Sequence, residues 1–323
     1  MPSKIQWTEE TWNPVVGCTN VSEGCRHCYA RKMSARLREM ERPEYADLTT
    51  GNGTGAKWTG KVRLLSERLS KPLKWRKPRR VFVNSMSDLF HESLSNEEIA
   101  AVFGVMAACP QHTFQVLTKR AERMEEWFGW VCSHYILSNL YPSRLLDAAT
   151  IHGFGQPPMS VGWPLRNVWL GVSVEDQATA DERIPHLLRC PTNIRWVSAE
   201  PLLGPVDLLP AMLVPPDVEY HNEAGHRIYD GLQWVVVGGE SGPSARPCEY
   251  GWLRSVVQQC RRVGVPCFVK QAGANYLDTI NGIAGQQAKV PPEAGQVRRL
   301  RHPKGGNPDE WPSDLRIREW PDA

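Results

Sequence analysis

The chain has 323 residues, 41% of them hydrophobic, and a formal net charge of +3 at neutral pH. That length suits one large α/β barrel or two smaller domains with a sizeable core, and the modest charge by itself favours no partner. No apolar run approaches a membrane span and the amino terminus lacks a signal-peptide core, so we expect a cytoplasmic protein that does not enter a membrane.

A cysteine-containing loop comes first along the chain, between a short strand and a helix, in the stretch TWNPVVGCTNVSEGCRHCYA. The apolar residues from Trp12 to Gly17 predict the strand, which Pro14 makes irregular. Apolar residues at helical spacing predict the helix that follows: Tyr29, Met33, Leu37 and Met40. The loop between them carries a C-x6-C-x2-C arrangement: Cys18, Cys25 and Cys28.

Three thiolates on one loop can hold a metal and leave one coordination position open. A structural zinc site normally needs a fourth ligand at short spacing, and none of the usual second pairs follows. An iron–sulfur cluster on three cysteines keeps one iron free for an outside ligand. We therefore favour a cluster, with zinc and ordinary core thiols as the alternatives. Nine cysteines are too few for a disulfide scaffold in a chain of this length, which agrees with ligands or thiols in a reducing compartment.

An insertion over residues 42–79 separates the first helix from the next strand, and its second half is strongly basic. Residues 57–80, the basic segment, hold ten Lys or Arg residues and one acid, Glu67. Trp58 and Trp75 lie among the cations, a composition that suits phosphate contact with base stacking. A solvated cationic face explains the same run equally well, so nucleic acid is one expected partner and a solvated surface is the alternative.

Apolar runs alternate with helical stripes along the rest of the chain, and each run is typical of a strand. With the first strand they make seven: Val81–Asn84, Thr113–Leu117, Val168–Ser173, Ile194–Ser198, Leu232–Val237 and Cys267–Gln271. Ser95 and Glu98 form a capping box at the start of one helix. Gly264 suits the carboxyl-terminal cap of the last helix.

Polar residues follow the predicted strands, each time at the carboxyl end. They are Ser85, Ser87 and Asp88; Thr118 and Lys119; Ser173 and Glu175; Ser198 and Glu200; Gly238, Gly239 and Glu240; and Lys270 and Gln271. Alternation with helices implies parallel strands, and the carboxyl ends of a parallel barrel are where active sites are built. The sequence therefore predicts a partial or complete parallel α/β (TIM-like) barrel over residues 1–273, with insertions near 42–79 and 132–167 and an irregular carboxyl-terminal tail over 274–323.

These stretches resemble the radical S-adenosylmethionine (SAM) superfamily, and most closely a branch of unknown function that is encoded by phages and bacteria and known for its three-cysteine motif. Besides the cysteine stretch, the resemblance is carried by FVNSMSDLFHE, TFQVLTKR, VWLGVSVEDQ, VSAEPLLGPVDL, WVVVGGESGPSARP and FVKQAG, which span most of residues 11–273. The resemblance implies a [4Fe-4S] cluster on Cys18, Cys25 and Cys28, whose fourth iron chelates SAM. It further implies an external electron donor, a 5′-deoxyadenosyl radical from reductive cleavage of SAM and, in some members, a dedicated partner protein encoded nearby.

Two departures from the superfamily pattern affect the site residues. Six residues separate the first two cysteines where three are usual, and His27 replaces the common aromatic residue before the third. The superfamily's Gly-Gly-Glu usually follows the second strand and meets the methionine amino group, whereas here it follows the sixth. Candidate SAM-binding residues therefore come from several strand ends: Ser85, Ser87, Asp88, Ser173, Glu200, Gly238, Gly239 and Glu240. The alternative for Gly238 and Gly239 is a tight turn that needs positive φ.

Two other functions remain open from the residues alone. One is a zinc- or cluster-stabilised barrel that binds nucleic acid through the basic segment without radical chemistry. The other is a hydrolase in which Asp88, Glu200 and Glu240 surround a divalent metal ion and the cysteines are structural. The sequence assigns neither a substrate nor a catalytic residue for the radical step.

Overall fold

The computed structural model describes residues 5–132, 163–213, 231–242, 244–277 and 298–322. Most of the second predicted insertion, residues 133–162, lies outside them. The chain divides into two compact units. Of the described residues, the first unit holds 5–132, 163–172 and 185–195, and the second unit holds the rest. No helix within these described ranges is long and apolar enough to cross a lipid bilayer.

Seven strands form the main sheet, and their order across it follows the chain. They are β1 (Glu10–Trp12), β2 (Arg80–Val83), β3 (Thr113–Thr118), β4 (Val168–Ser173), β5 (Ile194–Ala199), β6 (Trp234–Gly238) and β7 (Cys267–Gln271). Neighbouring strands pair in parallel, from β1 to β4 and from β5 to β7. Because β1 and β7 are its two edges, the sheet is open in the described part of the chain. The α/β prediction is thus confirmed, a complete barrel is wrong, and the open parallel sheet is consistent with a partial barrel.

Helices alternate with these strands as the apolar spacing predicts. The longer ones are α1 (Tyr29–Glu39), α2 (Asn96–Ala107), α3 (Ala121–Cys132), α4 (Gln177–Arg189) and α5 (Tyr250–Val263). The capping box before α2 is confirmed, because the Ser95 hydroxyl accepts from the Glu98 amide at 3.2 Å and the Glu98 carboxylate accepts from the Ser95 amide at 2.8 Å. The cap after α5 is also confirmed, since Gly264 has φ +72°.

The first strand differs from its prediction. The main-sheet strand is Glu10–Trp12, whereas Val15–Val16 pairs antiparallel with Arg63–Leu64 of the basic segment. Pro14 lies between the two and has no amide hydrogen for a sheet ladder, so the chain leaves the main sheet there. The loop with the three cysteines consequently starts beside the insertion.

Helix α1 begins where the sequence predicts, but only Leu37 of its four predicted apolar positions packs against the core. Tyr29, Met33 and Met40 are exposed, with relative solvent-accessible surfaces of 56%, 40% and 55%. The buried face is made instead by small residues and one cation: Ala30, Arg31, Ser34 and Ala35. Helical spacing therefore located the helix correctly and does not identify its buried face.

The described part of the tail packs against edge strand β7. The Val269 amide donates to the Ile317 carbonyl at 2.9 Å, and the Glu319 amide donates to the Cys267 carbonyl at 3.0 Å. Trp311 and Leu315 of the tail are buried. Because an open strand edge invites pairing with other chains, this cover protects the second unit from such contacts.

Candidate functional site

The cysteine loop, residues 18–28, begins at a turn that only glycine can make. Gly17 has φ +91°, and a Cβ atom at this position would lie 2.1 Å from the Lys61 carbonyl oxygen. Gly17 also forms a parallel bridge with Ser87, which follows β2. The start of the loop is therefore fixed against both β2 and the insertion.

The three thiols of the cysteine loop differ from most other cysteines of the chain in exposure. Cys18, Cys25 and Cys28 are each partly buried, as is Cys132. The others are fully buried: Cys109, Cys190, Cys248, Cys260 and Cys267. Partial burial on one loop leaves these sulfurs both accessible to a metal and sheltered from bulk water.

The surroundings of the cysteine loop raise the pKa of two of its thiols, Cys18 and Cys28. Burial raises the pKa of the Cys18 thiol to about 12. The charges of Asp88, Cys28 and Cys25 act in the same direction, and the charge of Arg120 opposes them. Cys28 directly precedes the first turn of α1. Burial raises the pKa of its thiol, and hydrogen bonds from the backbone amides of Arg31 and Ala30 partly oppose this by lowering it. Metal binding must therefore displace protons from these thiols.

Arg31 of α1 holds the cysteine loop by hydrogen bonds. Its guanidinium donates to the carbonyl oxygens of Cys25 at 3.3 Å and Arg26 at 2.6 Å, and to the side-chain oxygen of Asn20 at 3.4 Å. Arg31 itself is only 8% exposed. The helix thus fixes the second cysteine through the backbone around it.

Arg120, two residues after β3, holds the other end of the loop. It donates to Thr19 Oγ1 at 2.6 Å, to Asp88 at 3.2 Å and to both carboxylate oxygens of Glu92 at 3.0 and 3.1 Å. Its Nη1 lies 3.9 Å from the Cys18 sulfur. His91 joins the same network through its 3.0 Å contact with Thr19 Oγ1. A buried cation and its carboxylates therefore surround the first cysteine.

The candidate SAM-binding residues after β2 are engaged within the protein. Ser85 Oγ donates to Asn13 Oδ1 at 3.1 Å, and Ser87 Oγ donates to the Val15 carbonyl at 2.9 Å. The Asp88 carboxylate, besides Arg120, accepts from three further donors: Thr118 Oγ1 and the amides of Phe90 and Lys119. These residues share the end of β2 with the cysteine loop, and their polar atoms hold that end together.

In the second unit, Glu200 and Lys270 meet at the carboxyl ends of β5 and β7. Their carboxylate and ammonium groups lie 3.1 Å apart, and Ser198 Oγ donates to Glu200 at 3.4 Å. Gly238 at the end of β6 lies beside them, because a Cβ there would be 2.9 Å from a Glu200 carboxylate oxygen. Glu200 keeps unused acceptor capacity at this edge of the sheet.

The turn hypothesis for Gly238 and Gly239 is wrong, because neither has positive φ. Their requirement is close packing: a Cβ on Gly239 would lie 2.6 Å from the Ala272 carbonyl oxygen. The Glu240 side chain is only 7% exposed and forms a two-point pair with Arg246 at 2.8 and 3.1 Å. The third position of Gly-Gly-Glu is therefore held by an arginine of its own unit.

Ser173 and Glu175 after β4 share one arginine as well. Arg183 donates to the Ser173 carbonyl at 2.8 Å and to the Glu175 carboxylate at 3.0 Å, and both members of the ion pair are nearly inaccessible to solvent. A buried pair of this kind belongs to the core. It does not leave Glu175 available to a ligand.

The cysteine loop supplies three sulfur ligands, so any metal site on it needs a ligand from outside the loop. Across the described ranges no group of three or more His, Cys, Asp or Glu side chains converges on one metal position. A tetrahedral zinc site needs sulfurs about 3.8 Å apart, from Zn–S bonds of about 2.3 Å, so zinc would require rearrangement of the loop. In a cluster each cysteine binds a different iron atom, and three sulfurs spread over one loop suit that arrangement.

The basic segment is less positive than its composition indicates. Five of its ten cations pair with acids outside the segment: Lys61 and Arg63 with Asp47, Arg68 with Glu44, Arg79 with Glu10, and Arg80 with Glu9. The other five have no ion pair with a described residue: Lys57, Lys71, Lys74, Arg76 and Lys77. Trp75 is half-buried, with Lys71 and Arg79 over its ring at 5.3 and 5.5 Å.

The two arginines that hold the cysteine loop were not identified by sequence reasoning. Arg120 directly follows Thr118 and Lys119, the two residues that the strand-end pattern indicates after β3. Arg31 gave one signal, since it is a cation on the same helical face as Ala30, Ser34 and Ala35. A charged residue among small residues indicates a buried polar contact that local spacing does not identify.

Comparison with known proteins gives a family and nothing more detailed. No curated protein and no solved structure matches the chain. One family model, described as "Protein of unknown function (DUF5131)", matches residues 2–304, which is most of both units. The chain therefore belongs to this DUF5131 family of proteins of unknown function.

Proposed function

We propose that the chain is an iron–sulfur, SAM-dependent radical enzyme with its cluster on Cys18, Cys25 and Cys28. The observation that carries the proposal is the gathering of these partly buried, mutually coupled thiols on one loop, while five of the six other cysteines are buried in the core. The resemblance of the loop and of the strand ends to the radical SAM superfamily supports it. Together these features favour three ligands and one open coordination position.

The chain's own residues would set the environment of the cluster. Arg31 fixes the backbone at Cys25, and Arg120 brings a guanidinium within 3.9 Å of the Cys18 sulfur. At Cys18 the charge of Asp88 outweighs that of Arg120. The proposed role of Arg120 is therefore to fix the backbone and side chain of Thr19 beside the first cysteine.

When bound, the cluster would supply the electron that cleaves SAM into methionine and a 5′-deoxyadenosyl radical. The strand-end residues that the sequence predicts as SAM contacts stay predictions: Ser85, Ser87, Asp88, Ser173, Glu200, Gly238, Gly239 and Glu240. Among the three carboxylates we favour Glu200, because Asp88 and Glu240 already accept from arginines and backbone amides. Calorimetric titration of the Glu200→Gln variant with SAM tests this contact, and unchanged affinity would exclude it.

Anaerobic purification tests the cluster directly. Wild-type protein is expected to contain iron and sulfide in roughly four-to-four amounts and, with SAM and a reductant, to form 5′-deoxyadenosine. Single changes of Cys18, Cys25 or Cys28 to Ala should abolish both. The matched controls Cys109→Ala and Cys190→Ala remove buried thiols and should retain iron. A full iron content in Cys18→Ala would contradict the ligand assignment.

A barrel that binds nucleic acid without radical chemistry is the second candidate. It is favoured by the cations of the basic segment that form no ion pair with a described residue: Lys57, Lys71, Lys74, Arg76 and Lys77. One zinc per chain, with no 5′-deoxyadenosine formed, would decide for it over the enzyme. The hydrolase alternative gains no support, because each of its three carboxylates pairs with a lysine or an arginine.

A further inference from the structure

A cavity of about 470 Å³ opens in the first unit between the cysteine loop and a neighbouring hairpin. The hairpin consists of the strands Thr49–Thr50 and Lys57–Trp58, which pair antiparallel. Arg38 of α1 holds it by donating to the Gly51 carbonyl at 2.8 Å and to Asn52 Oδ1 at 2.6 Å. The volume lies within the range of pockets that bind small ligands.

The lining of this cavity is positive and contains no carboxylate. Three cations contribute, Arg26, Arg31 and Lys57, with Trp58 and the polar side chains of Thr19, Asn20 and Thr54. Arg26 and Lys57 are exposed. Arg26 forms an ion pair with Glu23 at 3.6 Å, and both side chains of this pair are exposed to solvent. Exposed pairs of that kind contribute little, so the cavity keeps most of its positive charge.

Arg31 makes the charge of this cavity unusual. It is more than nine-tenths buried. Among the described residues it donates only to carbonyl and amide oxygens, and its Nε has no hydrogen-bond partner there. It forms no ion pair with a described residue. A buried cation without a counter-charge is costly, and an anion in the adjoining cavity would offset that cost.

We propose that this cavity binds a nucleotide phosphate, with the phosphate on Arg31, Arg26 and Lys57 and the base beside Trp58. Guanidinium groups match the oxygens of a phosphate in two-point contacts. A half-buried tryptophan beside cations is the surface on which bases stack. Thr19, Asn20 and Arg26 of the cysteine loop line the cavity, so the ligand would lie against that loop.

The inference adds a substrate class to the proposed enzyme, but its test needs neither SAM nor a reductant. Failure of nucleotide binding would leave the iron analysis and the 5′-deoxyadenosine assay untouched, and the reverse also holds. A phosphate with an attached base occurs both in a free nucleotide and in a nucleotide of a single strand, so either could be the ligand.

Binding is measured on the anaerobically purified full chain with three probes: inorganic phosphate, AMP and a short fluorescent oligothymidylate. The double variant Arg26→Gln/Lys57→Gln changes two exposed side chains and should weaken nucleotide binding roughly tenfold or more. It should also lower the steepness of the salt dependence for the oligonucleotide by about 1.4, for two phosphate contacts to a single strand. The matched control Arg261→Gln/Arg262→Gln removes two exposed cations of the second unit and should leave both quantities unchanged.

Trp58 is tested with a conservative pair of variants. Trp58→Phe keeps an aromatic face and should bind as wild type, whereas Trp58→Leu should lose roughly 5- to 150-fold. Similar affinity for AMP and the oligonucleotide supports the site and assigns the free nucleotide. Binding of the oligonucleotide alone supports it and assigns the strand.

Three results would overturn the proposal. The first is no binding of any probe to wild-type protein at low ionic strength. The second is unchanged binding in Arg26→Gln/Lys57→Gln. The third is inorganic phosphate binding as tightly as AMP, with Trp58→Leu unchanged, which would leave a simple anion site and remove the nucleotide.

Discussion

Two arginines hold the two ends of the cysteine loop. They are equally buried, but carboxylates balance the charge of only one of them among the described residues. Arg120 and Arg31 are 7% and 8% exposed. Arg120 pairs with two carboxylates, Asp88 and Glu92, and also binds Thr19. Arg31 binds only neutral oxygens, those of Asn20, Cys25 and Arg26.

This difference indicates different roles: Arg120 stabilises the fold, whereas the charge of Arg31 remains available to attract an anion. The field of Arg120 is largely cancelled by its carboxylates, so its contribution to the fold is large and its attraction for an outside anion is small. The field of Arg31 is not cancelled by any described acid, and it adjoins the cavity of the hairpin. Burial alone therefore does not reveal the role of an arginine; its counter-charge does.

Removing Arg120 should have the largest effect on stability. Arg120→Met leaves Asp88 buried and without its cation, and loss of one partner from a buried pair costs about 3–5 kcal/mol. Glu92 adds little, because its side chain is 62% exposed. Urea unfolding of the purified variant measures the loss, with Arg120→Lys as the control that keeps the charge. A loss below about 1 kcal/mol would contradict the view of this arginine as a brace.

Removing Arg31 should cost less. Arg31→Met loses hydrogen bonds to three neutral oxygens, yet it also removes a buried charge that has no described counter-ion, and the two effects oppose each other. We expect a loss under about 2 kcal/mol in the same urea experiment. Nucleotide affinity should fall together with it. If Arg31→Met proves as damaging as Arg120→Met, the comparison between the two arginines fails.

The main sheet was largely predictable, because its strands are continuous apolar runs buried on both faces. The runs at β4 and β7 match their predicted bounds, and every residue of β4, β5 and β6 is buried. Such runs carry their signal locally. The prediction of the first strand was wrong because Pro14 ends the pairing with the main sheet. Where the residues after Pro14 pair depends on a distant segment, Arg63–Leu64.

The candidate site was predictable in its cysteines and not in its arginines. The spacing of Cys18, Cys25 and Cys28 is local information. The partners of Arg120 lie 28, 32 and 101 positions away, so no periodicity in the sequence reveals them. The charge of the basic segment was overestimated for the same reason, since Glu9, Glu10, Glu44 and Asp47 offset four of its ten positive charges.

The same contrast of paired and unpaired cations applies to nucleic-acid binding by the basic segment. Lys74, Arg76 and Lys77 are exposed and unpaired with described residues, whereas Lys61, Arg63 and Arg68 each meet an acid. Replacing the first three by Gln should lower the log–log salt slope for a single strand by about 2, for three lost phosphate contacts. Replacing the second three should change the slope by less than about 0.7, one contact. Equal slopes for the two triple variants would show that pairing does not govern binding.

The smallest effect is expected at Trp75, which composition alone made the stacking candidate. Lys71 and Arg79 lie over its ring and His112 meets it edge-on, with ring centroids 5.6 Å apart, so its faces are already used within the protein. Trp75→Leu should therefore change oligonucleotide affinity by less than about threefold, below the roughly 1–3 kcal/mol of a stacked base. Trp58→Leu, measured in parallel by fluorescence anisotropy, is the matched comparison. A loss at Trp75 as large as that at Trp58 would mean that bound nucleic acid displaces the two cations from the ring, and the stacking surface would then extend along the segment.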